Sequence, residues 1–362
     1  MRLIFDGHLD LAWNACSWDR DLTLELDRLN ELERGLDDHP ARGRATTTLP
    51  EMQRGRIALC QATLLARARS GSGIHGGGSR MGLDFVNQEA ASANARGQLA
   101  YYELLERQGS LRIIRTAADL EDHWTRWQAE GTKSMPVGAL IAMEGADPIV
   151  DVAHAEAWWN LGLRSVNLVH YGKSRYAVGT GSDGPLTPDG IALLKEFERL
   201  GMILDATHLS DTSFSEALDR FEGPVLASHN NCRALVPNQR QFSDEQLKRL
   251  VERGAVIGAA LDAWMLTPGW IRGQTSRSVV DLEAVADHID YVCQMAGNAD
   301  HAAIGSDLDG GFGTEQTPMG LDRISDLQKL DAMLARRGYG AEAIDGIFHG
   351  NWLRFFRQHL PR

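Results

Sequence analysis

Eight short apolar runs recur along the chain, and helical patterns fill most of the gaps between them. The runs cover 3–6, 56–66 (RIALCQATLLA), 137–144 (VGALIAME), 164–170 (RSVNLVH), 202–208 (MILDATH), 224–229 (PVLASH), 255–261 (AVIGAAL) and 302–307 (AAIGSD). Most are continuous rather than alternating, as strands covered on both faces are. Before the fifth run, LTPDGIALLKEFERLG places Ile191, Leu194, Phe197 and Leu200 at helical spacing and stops at Gly201. SDTSFSEALDRF opens on Ser210 as an N-cap, and SDEQLKRLVERG carries Ser243 and Gln246 at capping-box spacing. DLEAVADHIDYVCQMAG precedes the eighth run. Strands alternating with helices predict a parallel sheet with crossover helices, and eight such units predict an α/β fold, a closed (β/α)8 TIM-like barrel. An open doubly wound sheet is the alternative.

Residues 11–55 and 67–136 interrupt this rhythm. The first stretch holds a charged helical segment, TLELDRLNELERG. The second holds a Gly/Ser loop, RSGSGIHGGGSR, followed by two helical patterns around LRIIR. Neither reads as a linker and no repeat is visible, so the chain reads as one domain over 1–362 with long insertions at 11–55 and 67–136. The GIHGGGS loop lacks the GxxxxGK[ST] pattern of a phosphate cradle. His75 within it, and His349 and His359 near the C-terminus, read as surface residues.

The ends of the runs carry the chemistry. His8 and Asp10 follow the first run, two apart and so able to converge. Glu144 ends the third run, His170 the fourth, His208 the fifth, His229 the sixth and Asp307 the eighth. In a barrel these ends meet at one rim. Six of eight rim positions bearing metal-ligand residues, in a chain with only 12 histidines, point to a metal site. Imidazoles and carboxylates suit Zn2+, with Mn2+, Fe2+ or Co2+ as substitutes. The set is too large for one tetrahedral ion and fits two. Glu144 is the natural bridge, with His8 and Asp10 on one ion and His208 and His229 on the other. Arg233 and Arg240 both follow His229, and chemistry alone does not choose between them as an anion anchor. Asp309 reads as holding the Gly310–Gly311 turn.

The net charge of −12 disfavours a nucleic-acid or anionic-membrane surface. No apolar run is long enough to cross a membrane. MRLIFDGHLD has no signal-peptide pattern and RFFRQHLPR no anchor signal, and Cys16, Cys60, Cys232 and Cys293 show no CxxC spacing. The expectation is a cytoplasmic protein with reduced thiols.

The motifs DGHLDLAW, AMEGAD, NLVHYGKSRYA, LDATHLSDTSF, PVLASHNNCRAL and IGSDLDGG resemble, in order and over nearly the whole chain, those of the membrane dipeptidase (renal dipeptidase) family of zinc metallopeptidases. The resemblance implies an amidohydrolase-like (β/α)8 barrel with two Zn2+ per chain that hydrolyses dipeptides, L-Xaa–D-Xaa among them, through a metal-bridging hydroxide. It implies His8, Asp10, Glu144, His208 and His229 as metal ligands, His170 as the substrate-polarising histidine and Asp307 as the proton shuttle. Arg240, in PNQRQFSDEQL, matches the arginine that binds the substrate carboxylate. Tyr171 and Tyr176 flank His170, and Tyr176 is a candidate substrate contact. A small dipeptide is the implied partner, and a homodimer is what the family suggests. Two rivals stand beside this reading. One is a metal-dependent hydrolase of cyclic amides, lactones or N-acyl amino acids; the other is an inactive binding protein.

Overall fold

The structure, a computed structural model, describes residues 1–69, 82–130 and 135–362; His75 and most of the Gly/Ser loop lie outside them. In chain order the strands are β1 (Ile4–Leu9), β2 (Ile57–Leu64), β3 (Arg67–Ala68), β4 (Asp84–Phe85), β5 (Leu111–Ile113), β6 (Val137–Met143), β7 (Leu163–Asn167), β8 (Ile203–Asp205), β9 (Val225–Leu226), β10 (Ile257–Ala259) and β11 (Ala302–Ile304). All eight runs form strands. The three additions lie within the second insertion: β3 and β4 pair as a ribbon, and β5, built from LRIIR, pairs with the first half of β6.

The parallel order β1-β2-β6-β7-β8-β9 curls round. A parallel bridge from Ala227 to Ile257 joins β9 to β10, and β10 pairs with β11. Closure onto β1 comes from the Asp307 N–H donating to the His8 carbonyl at 3.2 Å, and the Ser306 N–H donating to Asp6 Oδ1 at 2.8 Å. The fold is thus a (β/α)8 TIM-like barrel, and the open-sheet alternative falls away.

Several strands stop short of the apolar runs that mark them. β8 ends at Asp205, although its run continues to His208, because the Asp205 carboxylate takes over from the ladder. Its Oδ1 accepts from Thr207 N at 3.0 Å and from Ser228 N at 3.1 Å, tying two adjacent loops together. His208 (φ 71°) and Asp307 (φ 57°) then turn in the left-handed region, a conformation that costs of order 1 kcal/mol and collects at functional sites. In β1 the strand instead continues through His8. One extra residue between Asp6 and Leu9 makes a bulge against β2. The bulge shifts the alternation, so that Phe5 joins the apolar floor and His8 still faces the rim.

The helices follow their sequence signals. Pro188–Leu200 is capped by Thr187 and ends at Gly201 (φ 78°). Ser210 caps Asp211–Arg220. Asp244–Glu252 carries the capping box, and Glu283–Ala296 stops at Gly297. The barrel floor is sealed by the C-terminal helix Asn351–His359, with Phe356 stacked on Phe5 at 5.3 Å and Trp352 Nε1 donating to the Ile304 carbonyl at 2.9 Å. His349 is not a free surface residue: its ring packs 4.8 Å from that of Trp124. Three glycines make the interior possible. A Cβ on Gly7, Gly258 or Gly305 would stand 2.6, 2.0 or 1.8 Å from the Ser228 carbonyl oxygen, which points inward where β9 meets β10. Among the described residues no helix is long and apolar enough to cross a membrane.

Candidate metal centre

At the C-terminal rim, Glu144 Oε1 is the hub. It lies 3.1 Å from His208 Nε2 and 3.3 Å from His229 Nε2, and those two nitrogens are 3.2 Å apart. Ligand atoms at about 2.0–2.1 Å from a tetrahedral zinc stand about 3.3 Å from one another, so this triangle has the size of one cation's coordination shell. On the other side His8 Nε2 stands 3.7 Å from Glu144 Oε1, 3.7 Å from Asp10 Oδ1 and 3.9 Å from Asp307 Oδ1. His8 Nε2 is buried with no hydrogen-bond partner among the described residues, a costly state for a polar atom. A cation among these carboxylates satisfies it. The donor set fits two hard-to-borderline divalent ions sharing Glu144.

The surroundings favour metal-binding protonation states. Burial, with Arg240 second for His208 and His8 second for His229, holds both imidazoles well below the usual histidine range and therefore neutral. Burial would depress His8 too, but Glu144 and Asp10 outweigh it and raise it to about 10. That group is where the cluster's negative charge calls for a cation. Burial first, then the like charges of Asp10 and Glu144, hold the Asp307 carboxyl well above the ordinary carboxylate range against His8. Outer contacts orient three of these candidate ligands. Thr180 Oγ1 meets His208 Nδ1 at 2.9 Å, Ser228 Oγ meets His229 Nδ1 at 2.9 Å, and Thr63 Oγ1 donates to Asp10 Oδ1.

Above the centre opens a cavity of about 760 Å³. Glu144, Asp10, His170, His208, Arg240 and Asp307 all line it; His8 and His229 lie beneath. His170 Nε2 is 3.7 Å from Glu144 Oε1 and its Nδ1 is 3.0 Å from Arg67 Nη1. Arg240 is 3% exposed, and its Nη2 donates to the His229 carbonyl at 2.8 Å while Nη1 donates to Asn230 Oδ1. Arg233 points elsewhere, paired with Asp211 at 2.7 Å, so of the two arginines only Arg240 reaches the cavity.

Two expectations need correction. Tyr176 is not at the site: it is fully buried in the core and its hydroxyl donates to the Ile149 carbonyl. Tyr171 lines the cavity instead, its ring 5.3 Å from that of His208. Asp309 does more than hold its turn. Its carboxylate accepts from Thr46 N at 2.9 Å, Thr46 Oγ1 at 2.7 Å and Thr47 N at 3.1 Å, fastening the first insertion beside Asp307. The two runs without a ligand at their ends also contribute polar groups. Thr63 stands near the end of β2 and Arg67 just beyond it, and beyond β10 stands Asp262, which burial pushes up to about 6 and which accepts from Gln316 Nε2 at 2.6 Å. A search of all eight run ends for any polar side chain, rather than for metal ligands alone, finds them.

A family model described as membrane dipeptidase (peptidase family M19) matches residues 2–360. The dipeptidase verJ of Clonostachys rogersoniana is 32% identical over 259 residues, 70% of this chain and 61% of that protein. Dipeptidase 3 of Rattus norvegicus is 29% identical over 241 residues, 64% of this chain and 47% of that protein. The chain thus spans only about half to three-fifths of the length of these two relatives. A metallopeptidase from Rhodobacter sphaeroides, solved with a phosphinate mimic of the dipeptide L-Ala-D-Ala, shares the fold with a TM-score of 0.76. Its identity is 24%, over 99% of this chain and 100% of that one. With the family model matching from end to end, this chain belongs to the membrane dipeptidase family, peptidase family M19.

Proposed function

We propose that the protein is a two-zinc dipeptidase that hydrolyses the peptide bond of short dipeptides, L-Xaa–D-Xaa among them, with 1–362 as one catalytic domain. The observation that carries this reading is Glu144 standing between two sets of candidate ligands, His208 and His229 on one side and His8 with Asp10 on the other, at the floor of a cavity whose wall presents Arg240. His8 and Asp10 would hold one ion, His208 and His229 the other. Two such ions, when bound, supply a water made nucleophilic near neutral pH and a Lewis acid for the scissile carbonyl. The named activities of the relatives, and the dipeptide mimic bound by the Rhodobacter protein, support the substrate class. The four cysteines are free, which accords with a cytoplasmic setting.

The protein's own residues do the rest. Arg240 takes the substrate's C-terminal carboxylate, which sets the distance from that end to the centre and favours two-residue substrates. His170 Nε2 donates to the carbonyl oxygen as negative charge develops there. Asp307, 3.9 Å from His8 Nε2 through Oδ1, accepts the proton of the attacking water on its carboxylate and delivers it to the departing amine nitrogen. The test is a matched panel of free dipeptides, cyclic amides, lactones and N-acyl amino acids. Preferential cleavage of free dipeptides is expected; preferential opening of cyclic amides or lactones would move the protein to another branch of the same barrel hydrolases.

A further inference from the structure

His208, His229 and His170 each present Nε2 towards Glu144, and they differ in what faces their Nδ1. His208 Nδ1 meets the Thr180 hydroxyl and His229 Nδ1 meets the Ser228 hydroxyl, each at 2.9 Å. A hydroxyl oxygen can accept Nδ1–H, which leaves the Nε2 lone pair for a cation. His170 Nδ1 meets Arg67 Nη1 at 3.0 Å. A guanidinium has five N–H donors and no acceptor, so His170 Nδ1 must be the acceptor. A neutral imidazole carries one ring proton, and here it has to sit on Nε2.

We infer that Arg67 is a positioning residue that fixes His170 as an Nε2–H donor facing the substrate and keeps it out of the metal shell. By distance alone Glu144, His170 and His208 form a third cation-sized nest. A protonated Nε2 has no lone pair to give, so Arg67 removes that option. His170 Nε2 lies 3.7 Å from Glu144 Oε1, beyond hydrogen-bond reach, and the ring borders the cavity. Its proton is therefore available to a carbonyl oxygen arriving from above.

The arginine itself is aimed. Its Nε and Nη2 donate to the two carboxylate oxygens of Asp84 at 2.8 and 2.9 Å, a parallel fork, and Arg67 and Asp84 are partners in the β3–β4 ribbon. The fork leaves Nη1 pointing at the histidine. The catalytic half of this inference rests on the dipeptidase reading; the tautomer does not.

The experiment uses the full-length zinc-loaded protein with ¹⁵N-labelled histidine. NMR reads the protonation of each ring nitrogen, and loss of one signal set in His170→Gln assigns His170. The native protein should show His170 with Nε2 protonated and Nδ1 bare. Arg67→Met, which offers no donor, should lose that single state and lower kcat for a dipeptide about 10- to 100-fold, with KM changed less than threefold, since a lost oxyanion donor acts on kcat. Arg67→Lys, still a pure donor, should regain most of both. A native His170 with Nδ1 protonated or Nε2 bound to zinc overturns the inference, as does an unchanged tautomer in Arg67→Met. The native spectrum decides this even if a variant does not fold. Absence of dipeptide turnover with the expected tautomer would count against the dipeptidase reading alone.

Discussion

The proposed role of Arg240 as carboxylate anchor makes the sharpest quantitative demand. Arg240 is almost wholly buried, and two of its N–H groups are spent on the His229 carbonyl and Asn230 Oδ1. That leaves Nε–H and one proton on each Nη for a ligand. A hydrogen bond to a charged group contributes about 1.5–3 kcal/mol, and about 1.4 kcal/mol is tenfold. A dipeptide with a free C-terminus should therefore exceed its C-terminal amide by roughly ten- to a hundredfold in kcat/KM. Tripeptides should be poor substrates, their carboxylate lying one residue too far from the metal centre. Arg240→Ala should remove most of the acid-over-amide preference. It also leaves the buried His229 carbonyl without its partner, so Tm should fall with it. Arg240→Lys keeps a cation but not the fork and should retain only part of the preference. The assay is steady-state hydrolysis of matched acids, amides and tripeptides by the native protein and both variants. Equal rates for acid and amide in the native protein, or a preference that survives Arg240→Ala, would refute the reasoning.

Three further perturbations probe the centre and its scaffold. Glu144→Gln should lower both bound metal and turnover, because an amide bridges two cations poorly; elemental analysis finding two tightly held ions with unchanged turnover would count against the shared carboxylate. Asp307→Asn should keep the metals and the fold while losing on the order of 10²–10⁴ in kcat, the usual contribution of an acid–base group; loss of metal along with activity would make Asp307 a ligand. Gly305→Ala should destabilise by about 1–3 kcal/mol or more, read as a lower denaturation midpoint, because its Cβ would stand 1.8 Å from the Ser228 carbonyl oxygen; an unchanged midpoint would show that this carbonyl can move aside.

Much of this architecture is legible in the chain because two signals coincide. Continuous apolar runs mark the strands, and ligand-type residues stand where those runs end, so His8, Asp10, Glu144, His170, His208, His229 and Asp307 are visible as one constellation before any coordinates. Long-range geometry is not legible in the same way. The bulge that puts both Phe5 and His8 inside the barrel depends on register with β2. The glycine trio around Ser228 depends on how closely three strands approach one carbonyl. Arg233 and Arg240 look alike in sequence and are separated by Asp211, which captures one of them on the outer face. Tyr171 and Tyr176 are five residues apart in one loop, yet the hydroxyl of Tyr176 finds the Ile149 carbonyl in the core. Arg67 stands just past the second run, but its role does not show locally because its partners, Asp84 and His170, lie 17 and 103 residues away.

The most direct test of the central claim is a zinc titration of the metal-stripped protein, with hydrolysis of an L-Xaa–D-Xaa dipeptide followed at each addition. Two ions sharing Glu144 predict that activity is lost on stripping and climbs to a plateau at two equivalents of zinc per chain. A plateau at one equivalent, or turnover that persists after the metal is removed, would contradict the account.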